Sequence, residues 1–353
     1  MKNRAVRIVF TLTVGLCGAL AATVAHVPAS ALIGATLAVT LVALCRLPTY
    51  IPPWMRNMAF AAIGCSLGSG VNGDFLQLAG KWSMSLAGLV LAMAIILFVG
   101  SWLLTAFFGE SRETAFLAAS PGALSYSLAI AAGGIGDVRS ILVIQSVRLL
   151  AITACLPPLL GSIEIPGGIG GVIRQSTPIG PTAGLFAATL AVGFLLNIRR
   201  FPAAFLIAGV FVSGLAHYLG LVSGRPPGGF LFAGFVVTGS VIGARFSRIP
   251  LADLRMLLGA ALAGVAVGSA LAAFLAWLAA KALGLPFGQM WVAYAPGGVE
   301  AMAAMALALG YDSTFVATHH LFRIFLLIFA LPILLRMFRQ KNPGMADEGY
   351  REG

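Results

Sequence analysis

The stretch Met84–Phe108, MSLAGLVLAMAIILFVGSWLLTAFF, runs 25 residues without one charged side chain. As a helix rising 1.5 Å per residue it would reach about 37 Å, more than the roughly 30 Å of hydrocarbon in a bilayer. Leu254–Leu283 repeats the pattern, with Arg255 and Lys281 only near its ends. Composition agrees outward from these two stretches. Of 353 residues 59% are apolar and 9% charged, against about 25% charged in an ordinary soluble domain. Such a chain cannot supply a water-facing surface, so it reads as an all-α polytopic membrane protein. Soluble enzymes and secreted disulfide scaffolds are excluded.

The net charge of +11 does not point to nucleic acid. Lys and Arg stand singly or in pairs between apolar stretches, as at Arg46, Arg56, Arg199-Arg200, Arg245 and Arg248. That is the distribution of cytoplasmic loops, whereas nucleic-acid binding needs a basic patch on a folded soluble face. Cys17, Cys45, Cys65 and Cys155 all lie in apolar segments without a CxxC pair and read as packing residues. The N-terminal run, with Lys2, Arg4 and Arg7 before an apolar stretch, mimics a signal peptide. It is read as a retained helix, because an equivalent segment recurs in mid-chain.

That recurrence is general. At a constant offset of 175, Gly64 and Gly68 fall on Gly239 and Gly243, Pro121-Gly122 on Pro296-Gly297, Asp137 on Asp312, Arg148 on Arg323 and Pro157 on Pro332. The chain therefore divides into a first membrane repeat (1–165), a Gly/Pro-rich linker (166–181), a second repeat (182–340) and a polar C-terminal tail (341–353). Six apolar segments are expected per half, the fifth carrying the Pro-Gly pair. If all twelve cross, 13 Lys and Arg lie inside and 7 outside; if each fifth segment dips in and returns, 16 lie inside and 4 outside. The second arrangement fits the positive-inside rule better. It gives five crossings per half plus a Pro-Gly-broken or re-entrant segment, and makes the two tandem repeats inverted. Proline removes a helix hydrogen bond and glycine frees the backbone, and a break at membrane depth lines a cavity because its freed polar groups need partners.

The segments Ala119-Ser120-Pro121-Gly122-Ala123 and Tyr294-Ala295-Pro296-Gly297-Gly298-Val299-Glu300, each followed by an Asp, an Arg and a late Pro, resemble the bacterial AbrB-type membrane proteins. That family consists of tandem duplicates often labelled ammonia monooxygenase or AbrB regulator. The resemblance covers about residues 10–340 and implies a multi-pass protein of the bacterial inner membrane, with a link to regulation of gene expression. Neither label carries an assigned chemistry.

Arg148 and Arg323 are the leading site candidates, since ionisable groups within a membrane are costly and are functional or paired. Each lies 11 residues beyond its Asp, about 16 Å along a helix. Gln145 and His320 sit one turn earlier on the same face. Glu300 is the one carboxylate deep in the second broken segment, with Ser125 as its counterpart. Two readings stand side by side: the cations face the breaks and bind solute, with Glu300 pairing Arg323 or titrating with a coupling proton; or the arginines cap broken-helix carbonyls. His319-His320 are too divergent on a helix to grip one metal ion, and no HxxxH or Cys/His cluster appears, so no metal, cofactor or catalytic set is expected. The two GxxxG steps at Gly64 and Gly239 read as close helix contacts.

The resulting expectation is a secondary transporter of a small anionic solute, coupled to H+ or Na+. The site would comprise Arg148, Arg323, Glu300, Gln145, His320, Ser125 and the pairs Pro121-Gly122 and Pro296-Gly297. Membrane lipid is an expected partner, a homo-oligomer a further one, and both termini are placed in the cytoplasm. An indirect regulator of gene expression is the alternative, and a membrane monooxygenase the least supported reading.

Overall fold

Proline sets many of the helix starts. It occupies the position before helices α8 (Ile179–Ile198), α10 (Gly228–Ala244), α11 (Leu251–Leu283) and α12 (Phe287–Tyr294), and Pro52-Pro53 open α3 (Pro53–Gly68). At a helix start its missing N–H costs nothing, and its fixed φ suits the first turn. The computed structural model describes residues 4–70, 75–122, 124–163, 176–199 and 201–340. The remaining helices there are α1 (Arg4–Val24), α2 (Ser30–Leu44), α4 (Phe75–Phe108), α5 (Arg112–Ala119), α6 (Leu124–Ala132), α7 (Val138–Ile163), α9 (Ala204–Tyr218), α13 (Val299–Ala308) and α14 (Ser313–Gln340). A short 3-10 turn, Arg245–Arg248, continues α10.

Among the described residues the protein is all-α and multi-pass: seven helices, α1, α4, α7, α8, α10, α11 and α14, are long and apolar enough to cross a membrane. Of the other five expected segments, two are each split into a pair of short helices, α5–α6 and α12–α13, and three fall short, α3 having 16 residues. Helices α2 and α9 have 15 residues each, about 22 Å of rise. Both bury much of their surface against other helices, which removes the need to match the thickness of lipid. Helix α7 runs to Ile163 and α8 begins at Ile179, so residues 179–181 are helical. Residues 164–175 of that stretch and the tail 341–353 lie outside the described residues.

Helix contacts are symmetric about the 175-residue offset. The starts of α5, α6 and α7 at 112, 124 and 138 correspond to those of α12, α13 and α14 at 287, 299 and 313. The helices form two groups. In one, α2 packs on α10 as α3 packs on α9, and α1 and α8 lie against α2 and α9. In the other, α4 packs on α5 and α11 on α12, while α7 meets α11 as α14 meets α4. The GxxxG glycines make the close approaches of the first group. A Cβ on Gly64 would sit 2.4 Å from the Leu206 carbonyl oxygen of α9, and one on Gly239 would sit 2.5 Å from that of Leu32 in α2. Only a hydrogen allows backbones so near.

Candidate functional site

Between α5 and α6 the chain turns at Pro121-Gly122, where Gly122 has φ +80°; α12 and α13 are likewise separated by residues 295–298. Ending a helix inside an apolar body leaves its last carbonyls without partners. Arg148, from α7, takes up those of α5. Its Nη1 donates to the Ala118 and Ala119 oxygens at 3.1 and 3.2 Å, and its Nη2 to that of Ser120 at 2.8 Å. Arg323, from α14, does the same for α12, donating to Ala295 at 2.7 Å and Gly297 at 2.5 Å. A cation at a helix C-terminus also opposes the negative end of the helix dipole.

One turn before each arginine a second donor acts on the same half-helix. Gln145 Nε2 donates to the Leu117 oxygen, and His320 Nε2 to the Val292 oxygen, both at 2.8 Å. A carbonyl only accepts, so the His320 proton sits on Nε2. Its Nδ1 then accepts from Arg323 Nη2 at 2.6 Å.

The two turns face a common cavity of about 200 Å³. One wall comes from the second helix group: Gly122 and Leu124, Gln145 and Arg148, and Gly298 through Glu300. The first group also contributes to the lining: Pro202 and Ala203 at the start of α9, and Arg245 at the end of α10. The N-termini of α6 and α13 open onto this space, adding positive potential to the two guanidinium groups. Glu300 is the one carboxylate among the lining residues. Arg148 Nε and Arg245 Nη1 are buried without hydrogen-bond partners among the described residues. The lining thus carries two guanidinium groups against one carboxylate.

Residues 31–339 match the sequence family described as "Transition state regulatory protein AbrB". The chain belongs to the AbrB family. It is 22% identical to the "Putative regulator AbrB" of Escherichia coli (strain K12), over 90% of this chain and 92% of that one. It is also 22% identical to the "Uncharacterized protein YhjN" of Bacillus subtilis (strain 168), over 88% of each. No solved structure matches it.

In this AbrB-family chain, Arg148, Gln145, Glu300 and Gly122 line the cavity. Arg323 and His320 stand behind it, bonded to each other and to the α12 end. Pro121, Pro296 and Gly297 shape the turns without lining the cavity. The side chain of Ser125 lies outside the described residues. Among the described residues the expected Glu300–Arg323 pair does not form: the partnered Arg323 nitrogens donate to carbonyls and to His320, while Glu300 lines the cavity together with Arg245. Arg245 is the functional candidate that sequence reasoning missed. It has no counterpart at the 175-residue offset, where Gly70 stands, and it looked like an ordinary loop cation. Its one sequence signal is its place two residues after Gly243, at the end of an apolar helix. Among the described residues no three His, Cys, Asp or Glu converge as a metal site would require.

Proposed function

We propose that this protein is a secondary transporter of a small anionic solute, bound between the turns of two interrupted helices. The observation that carries this reading is the cavity shared by both turns and lined from both helix groups, Arg148 coming from one and Arg245 from the other. Relative movement of the two groups would open the cavity first to one side and then to the other, as in transporters built from inverted repeats with binding sites at discontinuous helices. A cavity of about 150 Å³ holds benzene, so the 200 Å³ here suits a solute only slightly larger.

In this reading residues 1–165 and 182–340 are two inverted repeats joined by the 166–181 linker, and both termini face the cytoplasm of a bacterial inner membrane. Arg148, Gln145 and Glu300 meet the solute. Arg323, His320 and the Pro121-Gly122 and Pro296-Gly297 turns hold the shape, and Ser125 stands at the entry of α6. The test is uptake by proteoliposomes of radiolabelled acetate, lactate, benzoate, phosphate and sulfate under imposed proton and sodium gradients. Accumulation of at least one anion above protein-free liposomes supports the reading, and transport of none, with cations or neutral solutes carried instead, overturns it.

The printed names of the family and of the Escherichia coli relative favour a second reading, an effect on gene expression. A multi-pass protein would exert it indirectly, through the solute it moves or a soluble partner. Loss of the transcriptional effect in a transport-dead Arg148→Gln variant assigns it to solute flux.

A further inference from the structure

Contacts between helices fix which of their ends lie together. Arg7, at the start of α1, donates to the Thr49 oxygen at 3.2 Å, and Arg46, just after α2, donates to the Ile249 oxygen at 3.4 Å. The start of α1, the end of α2 and the end of α10 therefore share one face. It carries Arg4, Arg46, Arg56, Arg245 and Arg248, which makes it the inner face by the positive-inside rule. Helix α9 runs parallel to α3, since a Cβ on Gly64 would meet Leu206 and one on Gly68 would meet Gly214. Both helices thus start at the inner face. Pro202, Ala203 and Arg245, the share of the cavity lining that comes from the first helix group, all lie there.

The outer face is built differently. Near its end α7 approaches Pro28 of the α1–α2 connection, 3.2 Å from a Cβ placed on Gly161, so α7 ends at the outer face and its start, with Arg139, is inner. Just past the end of α3, also at the outer face, Gly70 meets the start of α14. Thr314 Oγ1 donates to the Leu67 oxygen at 3.1 Å, and a Cβ on Gly70 would lie 3.0 Å from the same hydroxyl. This contact joins one helix group to the other. Ser313 and Thr314 are buried, as are Val299 and Ala301–Ala306 of α13. Their counterparts at the 175-residue offset are looser: Val138 and Arg139 at the start of α7 are exposed, and so is Ala129 of α6, the match of Ala304.

From this asymmetry, and resting on the reading of two inverted repeats that move against each other, we infer that the chain stands in an inward-open state behind a closed outer gate, Gly70 against Thr314. Arg245 and Arg139 occupy the matching positions in the other halves and form the inner gate, which closes as the outer one opens. In transporters built from inverted repeats, such an exchange turns a fixed binding site from one side to the other. The residues also account for which gate is shut. Gly70 and Thr314 bring no charge together, whereas closing the inner gate moves Arg139 toward Arg245, and like charges at close range repel.

Disulfide trapping in membranes tests the gates without knowledge of the solute, using the full chain with its native cysteines replaced. Gly70→Cys/Thr314→Cys puts two thiols at the outer gate and Arg139→Cys/Arg245→Cys two at the inner one, and both are oxidised with copper phenanthroline. Each pair should cross-link alone. In a chain carrying all four cysteines the outer disulfide should abolish formation of the inner one, and reduction should restore it. Single thiols give a second readout that does not depend on the double variants folding. Arg139→Cys should react with a maleimide about tenfold or more faster than Thr314→Cys, which is uncovered only in a minor state populated to about 10% or less. Both disulfides in one molecule, a pair that never cross-links, or equal maleimide rates at the two single thiols overturns the inference. Wild-type uptake from the anion panel above, beside any of these results, leaves the transport reading standing. Mutually exclusive disulfides with no anion carried keep the gates and overturn the choice of an anion as solute.

Discussion

Arg323 donates to the Nδ1 of His320 at 2.6 Å, and this bond makes the imidazole a relay between the guanidinium and the α12 carbonyl of Val292. Its counterpart Gln145 serves the Leu117 carbonyl, with no hydrogen bond to Arg148 among the described residues. The two halves solve the same problem, an apolar helix that ends in mid-body, with different side chains.

A substitution at His320 should therefore follow hydrogen-bonding capacity. His320→Gln retains a donor for the Val292 oxygen, as Gln145 does in the first half, whereas His320→Ala leaves a buried carbonyl unsatisfied at about 1–3 kcal/mol. Thermal unfolding in detergent should show His320→Ala clearly below His320→Gln. Equal midpoints would mean that the bond carries no stability.

Gly122 combines a left-handed backbone with a crowded site. Its φ is +80°, and an added Cβ would lie 2.8 Å from Arg323 Nη2. Gly284 shares the sign of φ, at +65°, with nothing within 4 Å. Gly284→Ala should then show only the left-handed penalty of about 1–2 kcal/mol, and Gly122→Ala a larger loss, read by unfolding midpoint and yield. A Gly122→Ala variant as stable as Gly284→Ala would show that the turn has room to spare.

At the start of α7, Asp137 accepts from the Ser140 N–H at 2.9 Å and the Arg139 N–H at 3.3 Å. Burial alone would raise its pKa, but these hydrogen bonds and the Arg139 charge outweigh it and hold the carboxyl below the ordinary range. A depressed folded pKa contributes stability above the unfolded value, near about 3.9, that is lost as pH falls through the folded value. Asp137→Ala should cost about 1 kcal/mol at neutral pH, and the gap to wild type should close below about pH 4. A gap that persists unchanged at pH 3 would remove the carboxylate from the explanation.

With the repeats inverted as proposed, the ends of α6 and α13 would lie on opposite sides of the membrane. Ala132 and Ala308 are both exposed there. In intact cells an impermeant maleimide should label Ala308→Cys, and Ala132→Cys only after permeabilisation. Labelling of both from one side would defeat the inversion.

Much of the fold was legible in sequence because lipid imposes it: the uncharged stretches, the 175-residue offset and the paired glycines each have one cheap structural solution. The carbonyl-capping role of Arg148 and Arg323 was one of two readings that sequence left open, since a buried guanidinium is satisfied by carbonyls or by an anion alike. Spacing cannot separate these, because Arg148 both caps α5 and lines the cavity while Arg323 is enclosed. Arg245 was illegible because its place depends on α10 packing beside α13, a contact between residues far apart in the chain.

The central claim, an anion carried through the cavity at Arg148, is tested most directly by proteoliposome uptake of the same anion panel by wild type and Arg148→Gln. Wild type should accumulate at least one small anion, and Arg148→Gln, still purified as an intact membrane protein, should accumulate none. Uptake of that anion by Arg148→Gln at the wild-type rate would contradict the account.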